Sequence, residues 1–138
     1  SWAPLLGKPT LIAQAEHAIE QAGLSDRRHH VVANLAHGER RQLELAMVLV
    51  SHPKLLLLDE PMAGMSHQES MKVVDLLLSL KGQYTLLLVE HDMQAVFTLA
   101  DRISVLVNGA IIASGLPADI RDNADVRTAY LGDEELPA

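Results

Sequence analysis

Cysteine is absent from this chain of 138 residues, which excludes a disulfide framework and thiol chemistry and fits a reducing cytoplasm. No apolar run approaches the ~20 residues that a membrane-spanning helix needs, so no transmembrane segment is expected. The opening Ser1-Trp2-Ala3-Pro4 carries no basic stretch ahead of an apolar run, so no secretory signal is expected there. Positive charge is scarce: 11 basic against 18 acidic residues leave a net charge of −7, and Arg27-Arg28 and Arg40-Arg41 are isolated pairs. Non-specific nucleic-acid binding depends on a concentrated basic footprint and is not expected. Repeats and low-complexity tracts are missing too. So is any Gly-x-x-x-x-Gly-Lys-Ser/Thr sequence, the loop that cradles nucleotide phosphates. Gly7-Lys8 cannot substitute, because Trp2 stands where the first glycine belongs and Pro9 follows.

What is present is one ordinary core. Apolar residues make up 49 % of the chain, and the length suits a single domain at most. Leu11, Ala15, Ala18, Ile19 and Ala22 recur at helical spacing and predict a helix over 10–22, ended by Gly23 with Leu24 folding back. Residues 25–34 read as loop. A second helix is predicted from about Gly38 to Ser51, with Leu43, Ala46, Met47 and Val50 as its apolar stripe. The continuous run 55–58 has the pattern of a strand buried on both faces of a parallel sheet. Ser66-x-x-Glu69 is a capping box opening a helix to about Lys81, and 84–89 is a second buried strand. Met93, Val96, Phe97 and Ala100 mark a short helix. Asn108-Gly109 between 103–107 and 110–113 is a two-residue hairpin signal. Short helical segments after Pro117 and over 125–130 precede an acidic tail at 132–135, read as a solvated terminus. Alternating strands and helices predict an α/β fold with parallel pairing, joined to a helical N-terminal piece.

Three segments carry chemistry. Asp59-Glu60 emerges at the carboxyl end of the first strand, where open α/β sheets bind ligands. One carboxylate there suits Mg²⁺, and its neighbour can orient or deprotonate a water. In Leu35-Ala36-His37-Gly38-Glu39, a small residue and a glycine before a helix leave backbone N–H groups to face an anion. His91 stands at a strand–helix junction ahead of Asp92, a predicted N-cap. The other histidines show no metal-ligand spacing.

Taken in order, these segments resemble the second half of an ATP-binding cassette (ABC) ATPase. Leu35-Ala36-His37-Gly38-Glu39-Arg40-Arg41-Gln42 matches the signature motif, and Asp59-Glu60-Pro61, 21 positions after Gly38, matches Walker B with its adjoining glutamate. His91, 32 positions beyond Asp59, matches the switch histidine, and Ala63-Gly64-Met65-Ser66 falls at the D-loop. The wording through Met65, Val89-Glu90-His91-Asp92-Met93 and Arg127-Thr128-Ala129-Tyr130-Leu131-Gly132 is similar to the ATPase subunits of branched-chain amino-acid and urea importers. The ATPase of lipopolysaccharide export shares the Tyr-Leu-Gly ending and ranks second.

The resemblance implies the C-terminal part of a P-loop NTPase (RecA-like) core: residues 1–51 a helical-subdomain remnant, 52–138 the core from Walker B onward. It implies ATP and Mg²⁺ as cofactors, with Asp59 serving the metal, Glu60 the attacking water and His91 the γ-phosphate. Leu35, Ala36, His37, Gly38 and Glu39 would reach nucleotide held by a second ATPase subunit, and Ala63, Gly64, Met65 and Ser66 would touch that subunit. The implied partners are that second subunit, membrane permease subunits and, indirectly, a periplasmic solute-binding protein. The implied location is the cytoplasmic face of the membrane. The chain departs from the usual motifs: Ala36 lacks a phosphate-contacting hydroxyl, His37 replaces glycine, Glu39 replaces glutamine, and Ser66 replaces aspartate.

A family member carries a phosphate loop and a glutamine-bearing loop upstream. This chain is therefore expected to be a piece of a longer protein, inactive alone, with open sheet edges and exposed apolar surface. The competing reading is a non-catalytic half-domain that binds or assembles. A DNA-repair or chromosome ATPase of the ABC type is disfavoured, since neither heptads nor cysteines occur.

Overall fold

A computed structural model describes residues 7–130, which divide into two compact units meeting at Val89 and Glu90. The Leu131-Gly132 end of the closing motif and the acidic tail lie outside the described residues.

The first unit begins with helix α1 (Pro9–Gln21), opened by proline at its first position, where the missing N–H costs no hydrogen bond. It ends in a Schellman turn: Leu24 N donates to Ile19 O and Gly23 N to Glu20 O, with Gly23 at φ +72°. Two 3₁₀ turns, Ser25–Arg27 and Val32–Asn34, lead into α2 (His37–Leu49). Strand β1 (Leu55–Asp59) pairs in parallel with β2 (Thr85–Val89), in register from Leu55↔Thr85 to Asp59↔Val89. Helix α3 (His67–Leu80) crosses between them, its start fixed by the predicted box: Glu69 N donates to Ser66 Oγ at 3.3 Å, and Ser66 N to Glu69 Oε2 at 2.9 Å. Leu45 and Leu49 of α2, Leu56 of β1 and Val74, Leu77 and Leu80 of α3 are buried.

Burial corrects three expectations. In α1 only Ala18 is buried, with Ala22 buried at its C-cap and Leu11 and Ala15 exposed. In α2 the buried face is Gly38, Leu45, Ala46 and Leu49, whereas Met47 is 70 % exposed and Val50 is exposed. Residues 45–50 are apolar all round the helix, so spacing alone could not choose the buried side. β1 and β2 are shielded on one face only, with Leu56 buried and Leu58, Leu86 and Leu88 half-buried. Leu56 is inside, but Leu55, Leu57, Leu87 and Val89 face outward. A fully buried strand needs a layer on each side; among the described residues this two-stranded sheet has one, and the expected exposed apolar surface is the result.

In the second unit, Asp92 caps α4 (Met93–Leu99) by accepting from Ala95 N. Strands β3 (Ile103–Val107) and β4 (Ala110–Gly115) form the antiparallel hairpin that Asn108-Gly109 predicts, both turn residues at positive φ as a type I′ turn requires. The third strand of the expected parallel series therefore pairs with β4. Helices α5 (Pro117–Asp122) and α6 (Ala124–Tyr130) close the unit. Its core is Ile103, Val105, Ile120 and Val126, with Val96, Phe97 and Ala100 packed against it.

Candidate functional site

Asp59 and Glu60 stand exposed at the carboxyl end of β1, where the sheet register runs out. Glu60 N donates to Val89 O at 2.8 Å, extending the ladder past Asp59, and the chain there turns to φ +45°. That left-handed conformation is costly for a residue with a side chain. Two successive turns follow, closed by Ala63 N donating to Glu60 O at 3.1 Å and Met65 N to Met62 O at 3.2 Å. Gly64, at φ +74°, supplies the conformation that the second turn needs.

The segment 35–39 is held from several sides. Leu35 is buried. Arg40, one turn into α2, reaches back: its Nε donates to Leu35 O at 3.2 Å and its second guanidinium nitrogen to Ala33 O at 3.0 Å. Glu39 Oε2 accepts from Ala36 N at 2.9 Å, one half of a capping box whose other half alanine cannot supply. The Glu39 carboxylate also meets Arg27 at 2.7 Å. Arg27 and the Ala36 amide together hold Glu39 below the usual carboxylate range. The Ala36 amide is thus already engaged, which narrows the set of backbone donors the motif can turn toward an anion.

Gly38 is buried against Glu69: a Cβ added at Gly38 would lie 3.5–3.7 Å from the Glu69 side chain. Hydrogen bonds from the Ser66 amide and hydroxyl, with smaller contributions from His37 and the Gly38 amide, lower the Glu69 carboxyl. His37 Nε2 lies 3.4 Å from Ala63 O. The signature-like and D-loop-like segments, distant in sequence, are therefore in direct contact.

His91 lies in the second unit, 73 % exposed at the side chain, beside a Glu90 side chain only 2 % exposed. Glu90 Oε1 accepts from His91 N at 3.0 Å and Asp92 N at 3.4 Å, fixing the backbone that presents the imidazole. Among the described residues no group of three His, Cys, Asp or Glu side chains is placed to hold a metal. Asp59, a single exposed carboxylate, matches the hard oxygen donor that Mg²⁺ takes once or twice from protein, phosphates and waters completing its shell. Among the described residues no helix is long and apolar enough to cross a membrane.

The family model for ABC transporters matches residues 10–63, spanning the signature-like segment and Asp59-Glu60 and ending within the turn. A second, for the branched-chain amino acid ATP-binding cassette transporter, matches residues 110–135. The chain belongs to the ABC transporter ATP-binding family. It is 41 % identical over 117 residues to the high-affinity branched-chain amino acid transport ATP-binding protein LivG of Salmonella typhimurium, covering 83 % of this chain and 46 % of LivG. To BraF of Pseudomonas aeruginosa, of the same description, it is 40 % identical over 121 residues, 86 % of this chain and 48 % of BraF. The solved structure of MJ1267, an ATP-binding cassette of an ABC transporter, superposes with a TM-score of 0.81 at 26 % identity, covering 96 % of this chain and 53 % of that one. The chain spans about half the length of the curated relatives it matches.

Sequence reasoning about this ABC-family chain missed Arg27 and Arg40, which hold the signature-like segment, and gave Glu69 only half its work. Ser66-x-x-Glu69 flags Glu69 as a cap. Nothing local flags its packing on Gly38, because that contact exists only once α2 and α3 pack.

Proposed function

We propose that this chain is the C-terminal half of the ATP-hydrolysing subunit of an importer for branched-chain amino acids or a related small solute. In this reading residues 1–51 belong to the helical subdomain and 52–138 to the core. The observation that carries it is the placement of Asp59-Glu60 at the open end of β1, with the signature-like start of α2 bonded to the turn that follows. The solute class is supported by the match at 110–135 and by the names of the relatives.

Asp59 is the metal-side carboxylate and Glu60 the group that orients and takes a proton from water. His91, displayed by Glu90, is the hydrogen-bond donor toward the terminal phosphate. Leu35, Ala36, His37, Gly38 and Glu39 face nucleotide bound by the second subunit, with Gly38 fixing the close approach of the backbone. Ala63, Gly64, Met65 and Ser66 face that subunit. ATP bound with Mg²⁺ supplies the phosphoanhydride; this chain orients water and phosphate around it. Permeases and a solute-binding protein complete the assembly at the cytoplasmic face of the membrane.

A second reading, a half-domain that binds without hydrolysing, draws on the engaged Ala36 amide and the missing signature hydroxyl. One experiment separates the two: uptake of leucine into vesicles holding the intact subunit with its permeases, comparing parent with Glu60→Gln. ATP-driven uptake abolished by the substitution supports the first reading. Uptake that Glu60→Gln leaves unchanged supports the second.

A further inference from the structure

His37 is an exposed side chain standing where signature motifs carry glycine, yet its ring is engaged inside its own chain. Nε2 lies 3.4 Å from the carbonyl of Ala63, and the ring edge is 3.6 Å from where a Gly64 Cβ would be. With a carbonyl as partner, Nε2 carries the proton and donates. Ala63 is also bonded on its other side, its N–H donating to Glu60 O at 3.1 Å, while the Glu60 N–H donates to Val89 O at 2.8 Å. A continuous line of hydrogen bonds thus runs from the start of α2, through the turn, to the carboxyl end of the sheet.

A second joint lies beside it. Glu69 packs on Gly38 and accepts from Ser66 N at 2.9 Å, tying the same two segments at another point. One joint alone is a pivot about which the turn can swing. A second joint at a separate point restricts that swing.

We infer that His37 is a positioning residue: its ring holds the 62–65 turn against the start of α2 and so sets where Glu60 stands. Glycine at this position leaves only the Glu69 joint. The role assigned to Glu60 rests on the function proposed above; the hydrogen-bonded latch does not. It replaces a flexible glycine with a fixed link between the nucleotide-facing segment and the turn that orients the attacking water.

The test is amide hydrogen exchange on this chain without nucleotide, read at Ala63 and Met65, the two amides that close the turn. Parent is compared with H37G, H37F and H37Q. Phenylalanine keeps the ring volume without the donor, and glutamine keeps a donor without the ring. Losing one ordinary hydrogen bond corresponds to about fivefold faster opening. That rise is expected at Ala63 and Met65 in H37G and H37F, with H37Q restoring most of the protection. Equal exchange in all four proteins would overturn the latch. So would an acceleration spread evenly over β1 and α2, which would report general loosening instead. Neither result depends on whether the intact protein hydrolyses ATP.

Discussion

Glu60 donates its amide to the Val89 carbonyl across 2.8 Å and in doing so is held at φ +45°. A left-handed backbone costs an L-residue with a side chain about 1 kcal/mol or more relative to glycine. The conformation persists because the Glu60 amide is pinned by β2 and its carbonyl by Ala63 N. The strain sits at the residue proposed to orient the attacking water. Two truncations isolate it, since Glu60→Ala and Glu60→Gly both remove the carboxylate but only glycine relieves the backbone. Glu60→Gly is expected to exceed Glu60→Ala in stability by about 1 kcal/mol in urea unfolding. Equal midpoints would show that Glu60 is not held left-handed in solution.

The start of α2 lacks one half of its cap. Glu39 satisfies the Ala36 amide at 2.9 Å, but Ala36 has no oxygen to return to the Glu39 amide. Its backbone, at φ −64° and ψ 160°, already has the extended conformation of an N-cap. Ala36→Ser is therefore expected to stabilise the chain by about 1 kcal/mol. It also restores the hydroxyl usual in the signature motif. A thermal melt no higher than the parent's would show that serine does not reach the cap.

How much of this was legible in the sequence follows from how local each cause is. Gly23, Ser66-x-x-Glu69, Asp92 and Asn108-Gly109 act within a few residues, and each ends or starts an element as read. The side of α2 that is buried depends on where α1 and α3 lie, and 45–50 offers apolar side chains in every direction. Likewise 55–58 reads as doubly buried, although burial on the second face is a property of whatever layer covers it. The acids at the end of β1 were found because an apolar strand ending in carboxylates is a one-dimensional pattern. The contacts His37–Ala63 and Glu69–Gly38 are not, since each joins segments that only packing brings together.

Acid should weaken the N-terminal ends of α2 and α3. The Glu69 carboxyl is lowered chiefly by hydrogen bonds from the Ser66 amide and hydroxyl, and Glu39 chiefly by its hydrogen bond to Arg27. A carboxyl lowered in the folded chain contributes stability that is complete above the ordinary glutamate range. That contribution is lost as the pH falls through the lowered folded value. Glu69→Gln removes the charge at every pH. It is expected to be less stable than the parent at neutral pH, with the gap narrowing and closing on acidification. Urea midpoints across a pH series provide the measurement. A gap that stays constant or widens in acid would mean that the Glu69 charge does not hold the junction.

The open face of the parallel sheet has a separate consequence. Leu57 is 68 % exposed and Leu87 57 %, side by side in register and flanked by exposed Leu55 and Val89. Clustered apolar side chains of this kind drive association, and a parallel sheet ordinarily has both faces covered. The 15.0 kDa chain in isolation is expected to self-associate, its mass by light scattering rising with concentration. Leu57→Ser with Leu87→Ser should reduce that rise while changing stability by less than about 1 kcal/mol, because neither side chain loses a packed environment. The same pair in an intact subunit tests what normally lies there. If the face is covered in the longer protein, the double substitution removes two buried leucines and costs several kcal/mol, in the range of large-to-small core changes. A substitution harmless to the isolated chain and severe in the intact subunit would place this face in the core of the complete domain. Equal tolerance in both would mean that it remains a surface.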